Sequence, residues 1–164
     1  MMGRTHLALG AVAGVHLAAL SPRLGLPIMA AALIGAILPD VDTPYSKLGR
    51  RLWPLSRIIL MTFGHRGGTH SAVFLVLGTA LMWMGSAPVA LALGAGIATH
   101  LAADAISFGH GTRFTARGAG VPLWWPLAER KSGLRLVKVN GPLENLVILP
   151  WATLYAAQLG WRLL

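Results

Sequence analysis

The sequence contains no cysteine among its 164 residues, and charged residues make up only 12% of it. The lack of cysteine excludes disulfides and thiol chemistry, although it does not fix the compartment. Ordinary soluble domains carry about a quarter of charged residues. Here hydrophobic residues reach 55%, the mean hydropathy is +0.63, and no Asp, Glu, Lys or Arg occurs from Ala72 to Ala103. This composition is typical of a small membrane protein.

Long hydrophobic runs are scarce as well. The apolar blocks are Leu7–Leu20, Leu24–Leu38, Ala72–Met84, Val89–Phe108 and Asn145–Trp161. Each of them falls short of, or only just reaches, the roughly 20 residues that span a bilayer core. A soluble all-helical protein would show the same blocks, as would a membrane bundle whose short helices meet at a polar pocket. We predict the second: an all-α, membrane-embedded bundle of four to five helices in one domain over residues 1–164, with an irregular basic loop before the last helix.

Basic residues outnumber acidic residues by 14 to 5, which gives a formal net charge of +9. They concentrate between the second and third blocks and after the fourth, whereas the turn Gly85–Pro88 carries none. If each block crosses the membrane once, both basic regions lie on one side, and the positive-inside rule makes that side cytoplasmic. The positive charge also suits nucleic acid. Topology already accounts for it, and the interleaved aromatic and basic residues typical of single-strand binding are missing.

The few acidic residues are placed where they need partners. Asp40, Asp42 and Asp104 lie at the ends of apolar blocks or inside them, where an ionised carboxylate is costly unless it is paired or bound to metal. The predicted topology brings seven ligand-type side chains to one membrane depth: His6, Asp40, Asp42, His65, His70, His100 and Asp104. Mixed His and Asp ligands suit Zn²⁺, with Mn²⁺ or Fe²⁺ as alternatives. Their number allows one or two ions, and such centres activate water for attack on phosphoesters.

The stretch "GHRGGTHS" (64–71) lies at the start of the third apolar block. Gly67 and Gly68 permit a sharp turn that aims His65 and His70 at one pocket. Arg66 is the predicted bidentate clamp for a phosphate group. A hydroxyl in this stretch, that of Thr69, is the predicted cap of the next helix. The predicted catalytic residues are Asp40, Asp42, His65 and Arg66, with either aspartate as the general base.

Other polar residues are weaker candidates. His16 lies about 15 Å deeper along the first helix than His6 and is expected to be a satisfied interior histidine. His110 is expected to be solvated, and Glu144 stays ambiguous between helix-start electrostatics and a role in the site. Ser71 has no triad-like partners apart from the metal cluster, so a serine hydrolase is not favoured.

Five motifs in chain order carry a family resemblance: "LPDVDTPYSKLGRRL", "GHRGGTHS", "THLAADAIS", "GVPLWWP" and "NGPLEN". They resemble the YdjM-type bacterial inner-membrane metal-dependent hydrolases, a LexA-linked family that is distantly similar to zinc-dependent phospholipase C. The resemblance implies a multi-pass inner-membrane protein with its metal centre towards the cytoplasm. It also implies a first metal site of Asp40, His70, His100 and Asp104, with Asp104 as a candidate bridge. A second site would use His6 with Asp42 or His65.

The expected function is therefore a membrane-bound hydrolase of lipid or lipid-linked phosphate, in which metal-activated water attacks phosphorus while Arg66 and loop arginines orient the substrate. Three alternatives remain: a nuclease, a metal-stabilised scaffold that binds a protein partner, and a metal transporter. A transporter would need ligands at mid-membrane, where only His16 lies. A scaffold would close its metal site, whereas a catalytic zinc keeps an open position.

Overall fold

Residues 1–109 and 120–162 are described by the computed structural model, in which helices account for 72% and strands for 4%. The α-helices are α1 (Gly3–Leu20), α2 (Gly25–Ile37), α3 (Lys47–Arg51), α4 (Trp53–Phe63), α5 (Ala72–Trp83), α6 (Ala87–Ile106) and α7 (Leu149–Trp161). Short 3₁₀ turns cover Pro22–Leu24, Leu38–Asp42 and Gly68–His70, and a π-helical segment, Leu143–Ile148, leads into α7. The predicted all-α class is confirmed.

Five helices form the bundle, in agreement with the predicted number. The central helix α2 packs against α1 on one side and α6 on the other, while α5 packs on α6 and α7 on α1. Ile28, Ala32, Leu93, Ile97 and Leu101 lie in the buried core between these helices. The short helices α3 and α4 lie outside the bundle, against the turn that follows α2.

The crossing of α2 and α6 is close because glycines line it from both sides. A Cβ atom on Gly35 would collide with the backbone oxygen of Leu93, and one on Gly96 would collide with the backbone oxygen of Ala32. Close approach of this kind is characteristic of small residues at membrane helix contacts. The crossing fixes the end of α2 relative to the last turns of α6, where the polar residues lie.

The outer surface of the bundle is apolar. The helix α5 carries no charged residue, and yet none of its residues is buried. Val76, Leu77 and Leu81 expose more than half of their surface. Two segments are long and apolar enough to cross a membrane, Pro22–Asp42 and Ala87–Ile106, and α5 is a shorter apolar helix. An exposed apolar surface of this extent favours a lipid environment over a soluble fold.

The chain between α6 and α7 returns to the end of α6. A two-residue strand β1 (Ser107–Phe108) pairs in parallel with β2 (Val137–Lys138), and Val121 forms an antiparallel bridge with Ser132. The backbone N–H of Leu134 donates to the carbonyl of Ala105 over 2.8 Å. The irregular loop is thereby held beside the polar end of the bundle.

Candidate metal centre

One end of the bundle collects buried imidazole and carboxylate groups from four parts of the chain. His6 lies in the first turn of α1, Asp40 in the turn after α2, His70 in the turn before α5, and His100 and Asp104 in the last turns of α6. The two α6 residues, four positions apart, share one helical face. The side chain of Asp40 is 23% exposed, whereas the other four residues are at most 2% exposed.

Two groups of ligand atoms converge within this cluster. In one, donor atoms of His6, His100 and Asp104 all lie within 4.8 Å of one another; in the other, the same holds for Asp40, His70 and His100. His100 belongs to both groups. Of the seven predicted ligands, five are thus brought together, while Asp42 and His65 belong to neither group.

Hydrogen bonds to the Nδ1 atoms define which nitrogen of His70 and of His100 carries its proton. The Nδ1 of His100 lies 2.7 Å from the carbonyl oxygen of Ala36, which can only accept. The Nδ1 of His70 lies 3.1 Å from both Asp42 Oδ2 and Thr69 Oγ1. Because the Thr69 hydroxyl donates to Asp42, neither neighbour supplies a proton to His70, whose Nδ1 must donate.

In the neutral rings, both Nε2 atoms therefore present lone pairs, and these two atoms face each other at 3.2 Å. Asp104 Oδ2 lies 3.6 Å from the Nε2 of His70 and 3.9 Å from that of His100. Within residues 1–109 and 120–162, no hydrogen-bond donor reaches either Nε2 atom. Such a pair is satisfied by a cation, and an Nδ1–H held by a carboxylate or a carbonyl is the usual support of a metal-binding imidazole. The donor set fits a metal ion.

His6 completes the buried side of the centre. Its ring stacks on that of His100 with centroids 3.8 Å apart, and its Nε2 lies 3.4 Å from Asp104 Oδ1. Its other nitrogen, Nδ1, is buried and has no hydrogen-bond partner within the described part of the chain. An unsatisfied buried nitrogen at this place is costly unless a further ligand occupies it.

The two groups overlap and cannot both be complete. The Nδ1 of His100 is bound to Ala36, so one lone pair remains, and it can serve one ion. The described residues therefore offer one full set of ligands at a time. A single ion fits this arrangement, within the predicted range of one or two.

Asp42 acts as a buried acceptor beside the centre. Its Oδ2 accepts from the backbone N–H of Arg66 over 2.7 Å and from Thr69 Oγ1 over 3.0 Å, in addition to His70. Its Oδ1 lies 3.0 Å from Nδ1 of His65. Because it contacts His70 and His65 at their Nδ1 atoms and belongs to neither ligand group, this carboxylate is placed to orient His70.

Asp104 is surrounded by positive groups. Arg66 Nη2 donates to Asp104 Oδ2 over 2.8 Å, while its Nη1 donates to the carbonyl of Gly120 over 3.4 Å. The terminal ammonium of Met1 contacts Asp104 Oδ1 and lies 3.2 Å from Ser107 Oγ. The guanidinium predicted as a phosphate clamp is thus buried and paired with a carboxylate of the centre.

The backbone of the "GHRGGTHS" stretch turns sharply, but its positive φ angles fall on Gly64 (72°) and Arg66 (54°) and not on the predicted glycine pair. Gly67 is required for space, since a Cβ there would collide with the carbonyl oxygen of Phe63. The bond from the Arg66 N–H to Asp42 holds the left-handed residue in place. The prediction that Thr69 caps α5 is wrong: the neighbouring Ser71 accepts from the helix, because the Thr69 hydroxyl is used by Asp42.

The accessible side of the centre is formed by Asp40 and His65, whose side chain is 49% exposed. Lys131 lies at this rim, and its Nζ donates to the carbonyl oxygen of His65 over 3.2 Å. Sequence reasoning did not single out Lys131, because no spacing distinguishes it from the other basic residues of its loop. The ring of Trp125 lies over the turn before α5, since a Cβ added to Gly68 would meet it at 3.3 Å.

The weaker candidates lie elsewhere. His16 bonds Val12 and Tyr155, as expected of a satisfied histidine, but it is exposed and not interior. His110 lies outside the described residues. Glu144 is buried apart from the centre; burial acts to raise the pKa of its carboxyl, but hydrogen bonds from the N–H groups of Met2 and Asn140 hold that pKa below its usual value.

Comparisons with known proteins give a family but no characterised activity. The family model described as YdjM inner membrane protein matches residues 1–163. Inner membrane protein YdjM of Escherichia coli (strain K12) is 38% identical over 110 residues, which cover 63% of this chain and 51% of the relative; the protein of the same name in Shigella flexneri gives the same values. Uncharacterized protein YvsG of Bacillus subtilis (strain 168) is 33% identical over 108 residues, 64% of this chain and 67% of that protein.

The chain thus spans about half the length of the YdjM relatives that it matches. No solved structure matches it.

Proposed function

The chain belongs to the YdjM inner membrane protein family, and we propose that it is a membrane-bound, metal-dependent hydrolase of phosphoesters with one zinc ion at the centre. One observation carries this proposal: the Nε2 lone pairs of His70 and His100 face each other at 3.2 Å, beside the Asp104 carboxylate. Nitrogen and oxygen donors of this kind suit zinc, and they also accept Mn²⁺ or Fe²⁺.

The residues divide into ligands and supports. His70, His100 and Asp104 would hold the ion, and His6 is a further ligand within reach. When bound, zinc supplies a Lewis acid that activates water and polarises a phosphoryl oxygen. The buried network around the ligands limits their movement, which favours a defined coordination geometry.

Proton transfer falls to the accessible side of the centre. Asp40 Oδ1 lies 3.8 Å from His100 Nε2 and its side chain is partly exposed, so it can accept a proton from an attacking water. His65 lies at the same rim with Nδ1 bound to Asp42, which orients its ring. We assign Asp40 as the general base and Asp42 as a positioning residue for both histidines that it contacts.

An accessible side also favours catalysis over a structural role for the metal. Structural zinc sites are closed by four protein ligands, whereas catalytic sites keep a position for water or substrate. The exposed fractions of Asp40 and His65, 23% and 49%, provide such an opening here.

A lipid or lipid-linked phosphate is the proposed substrate. The centre lies at one end of an apolar bundle, and Trp124 and Leu127, in the loop beside it, expose 67% and 90% of their surface. The α3 helix places Lys47, Arg50 and Arg51 at the same end of the molecule, next to the turn that carries Asp40. By the positive-inside rule we propose that this end faces the cytoplasm.

The metal content of the detergent-purified protein tests the proposal first. Wild type is equilibrated with Zn²⁺ and then freed of excess metal, and its zinc content is measured by elemental mass spectrometry. It should retain about one ion per chain, because His100 offers a single lone pair to a metal. His100→Ala and Asp104→Ala should lose it. His16→Ala is the matched control: the same substitution in the same bundle should leave the zinc content unchanged.

Turnover separates the candidate functions. Zinc-loaded wild type should release phosphate or headgroup from a short-chain phospholipid, and His100→Ala should not. Cleavage of single-stranded DNA without lipid turnover would point to a nuclease. A folded wild type that retains no zinc would contradict the metal centre, and bound zinc with no turnover of any phosphoester would favour a scaffold.

A further inference from the structure

Lys131 is a cation at the rim of the centre that is not paired with a carboxylate of the described residues. Lys131 Nζ donates to a neutral acceptor, the backbone carbonyl of His65, over 3.2 Å. In the described part of the chain Lys131 forms no ion pair with Asp or Glu. An ammonium group has three donors, and this bond uses one of them.

The neighbouring charges leave this cation uncompensated. Removal from water and the positive charge of Arg66 lower the pKa of Lys131, and the Asp42 carboxylate opposes them. Asp42 is already the acceptor for four donors, and Arg66 is paired with Asp104. Two cations held near each other beside a metal centre repel unless an anion lies between them.

The fold holds Lys131 at this position. The next residue, Ser132, exchanges two backbone hydrogen bonds of 3.0 Å with Val121, and two residues later Leu134 donates to the end of α6. Because these bonds hold the backbone directly after Lys131, the residue loses less backbone freedom when it binds a ligand, and such preorganisation favours affinity.

We propose that Lys131 forms an anion-binding position at the mouth of the centre and holds an ionised oxygen of the substrate's phosphate group. The inference rests on the proposed function and names the residue that selects its substrate class, a phosphate with at least one charged oxygen. The same loop exposes Trp124 and Leu127, so an apolar chain attached to that phosphate has a surface to lie on.

Phosphate binding to the zinc-loaded protein tests the role of Lys131 without relying on turnover. Inorganic phosphate is titrated by calorimetry into wild type, Lys131→Gln, Lys131→Arg and Lys138→Gln, all in the same detergent. Lys131→Gln should weaken binding by about tenfold or more, as expected for the loss of one charge-assisted hydrogen bond. Lys131→Arg should recover most of the affinity, and Lys138→Gln, an exposed lysine of the same loop, should match wild type.

A second titration with short-chain phosphatidic acid distinguishes the source of the phosphate. If a lipid is the ligand, phosphatidic acid should bind more tightly than inorganic phosphate, and Lys131→Gln should weaken both by a similar factor. Zinc content and the unfolding temperature of each variant are measured alongside, so that loss of the fold or of the metal is recognised directly.

The possible failures differ. If Lys131→Gln binds phosphate as wild type does, the role of Lys131 is overturned while the hydrolase remains. If zinc-loaded wild type turns over phosphoesters but Lys131→Gln keeps the same KM, the same conclusion follows. If zinc-loaded wild type neither binds phosphate nor hydrolyses a phosphoester, both the inference and the proposed function fail.

Discussion

At the scale of single residues, the centre is organised by acceptors that do not bind metal. Asp42 accepts a hydrogen bond from Nδ1 of His70, and the carbonyl of Ala36 accepts one from Nδ1 of His100. Because each ring carries its proton on Nδ1, the Nε2 lone pairs of both rings are free and face each other. Neither acceptor has to touch the proposed ion. The orientation of the two imidazoles therefore depends on groups that contact the histidines and lie outside the candidate ligand set.

Substitution of Asp42 should show this dependence. Asp42→Asn keeps the size of the side chain but removes the charge and part of the accepting capacity for His70, His65 and the Arg66 N–H. We expect zinc affinity to fall about 10- to 100-fold, as is typical when the support of a metal-binding histidine is lost. Competition with a zinc chelator of known affinity measures the change.

Thr62→Ala provides the control for that experiment. Thr62 lies on α4, which packs against the turn that carries Asp42, but its hydroxyl donates within its own helix, to the carbonyl of Ile58 over 2.9 Å. Unchanged zinc affinity in Asp42→Asn would contradict the positioning role of Asp42.

Residue types and topology together were sufficient to find the cluster, but not to assign roles within it. The distribution of basic residues placed seven candidate ligands at one depth, and the structure brings five of them together in two groups, without Asp42 and His65. The separation of Asp40 from Asp42 depends on the 3₁₀ turn Leu38–Asp42, which turns two aspartates of one short motif towards different partners. No periodicity in the sequence specifies that turn.

At the scale of helices, the crossing of α2 and α6 is the most constrained contact of the bundle. Gly96→Ala should destabilise the protein by about 1–3 kcal/mol, because the added methyl group has no room against the backbone of Ala32. The unfolding temperature in detergent measures the effect.

Gly160→Ala is the matched control, since a Cβ there meets nothing within 4 Å and alanine favours a helix by about 1 kcal/mol over glycine. Its unfolding temperature should equal or exceed that of wild type. Equal stability of Gly96→Ala and wild type would show that the helices can move apart at this point.

Helix positions were more predictable than the loops between them. Apolar blocks located the five bundle helices, because lipid-facing and core-facing residues are both hydrophobic and differ little in composition. The irregular loop was harder: the sequence predicts only an irregular segment there, whereas Val137–Lys138 forms a short strand that pairs with Ser107–Phe108, directly after α6. Pairing between distant segments leaves little signal in either segment alone.

At the scale of the whole molecule, the orientation in the membrane is a prediction that the absence of cysteine makes easy to test. Gly85→Cys places a single thiol in the uncharged turn between α5 and α6, and Lys138→Cys places one in the basic loop. In intact cells a membrane-impermeant maleimide should label Gly85→Cys and spare Lys138→Cys.

Permeabilised cells supply the control, since both thiols should then react. Labelling of Lys138→Cys in intact cells would place the centre outside the cytoplasm and reverse the proposed orientation. If neither variant were labelled before permeabilisation, both loops would lie inside the cell. That result would contradict a single crossing of the membrane by α6, which lies between the two positions.

The close crossing of α2 and α6 has a further consequence for metal selectivity. Gly96 lies one helical turn before His100, and Gly35 lies near the end of the helix that leads to Asp40. Because the two backbones meet there without intervening side chains, the crossing sets how far apart His100 and Asp40 can lie. A wider crossing would enlarge the cage and shift its preference towards ions of larger radius. Two glycines that lie outside the proposed ligand set would in this way help to select the proposed ion.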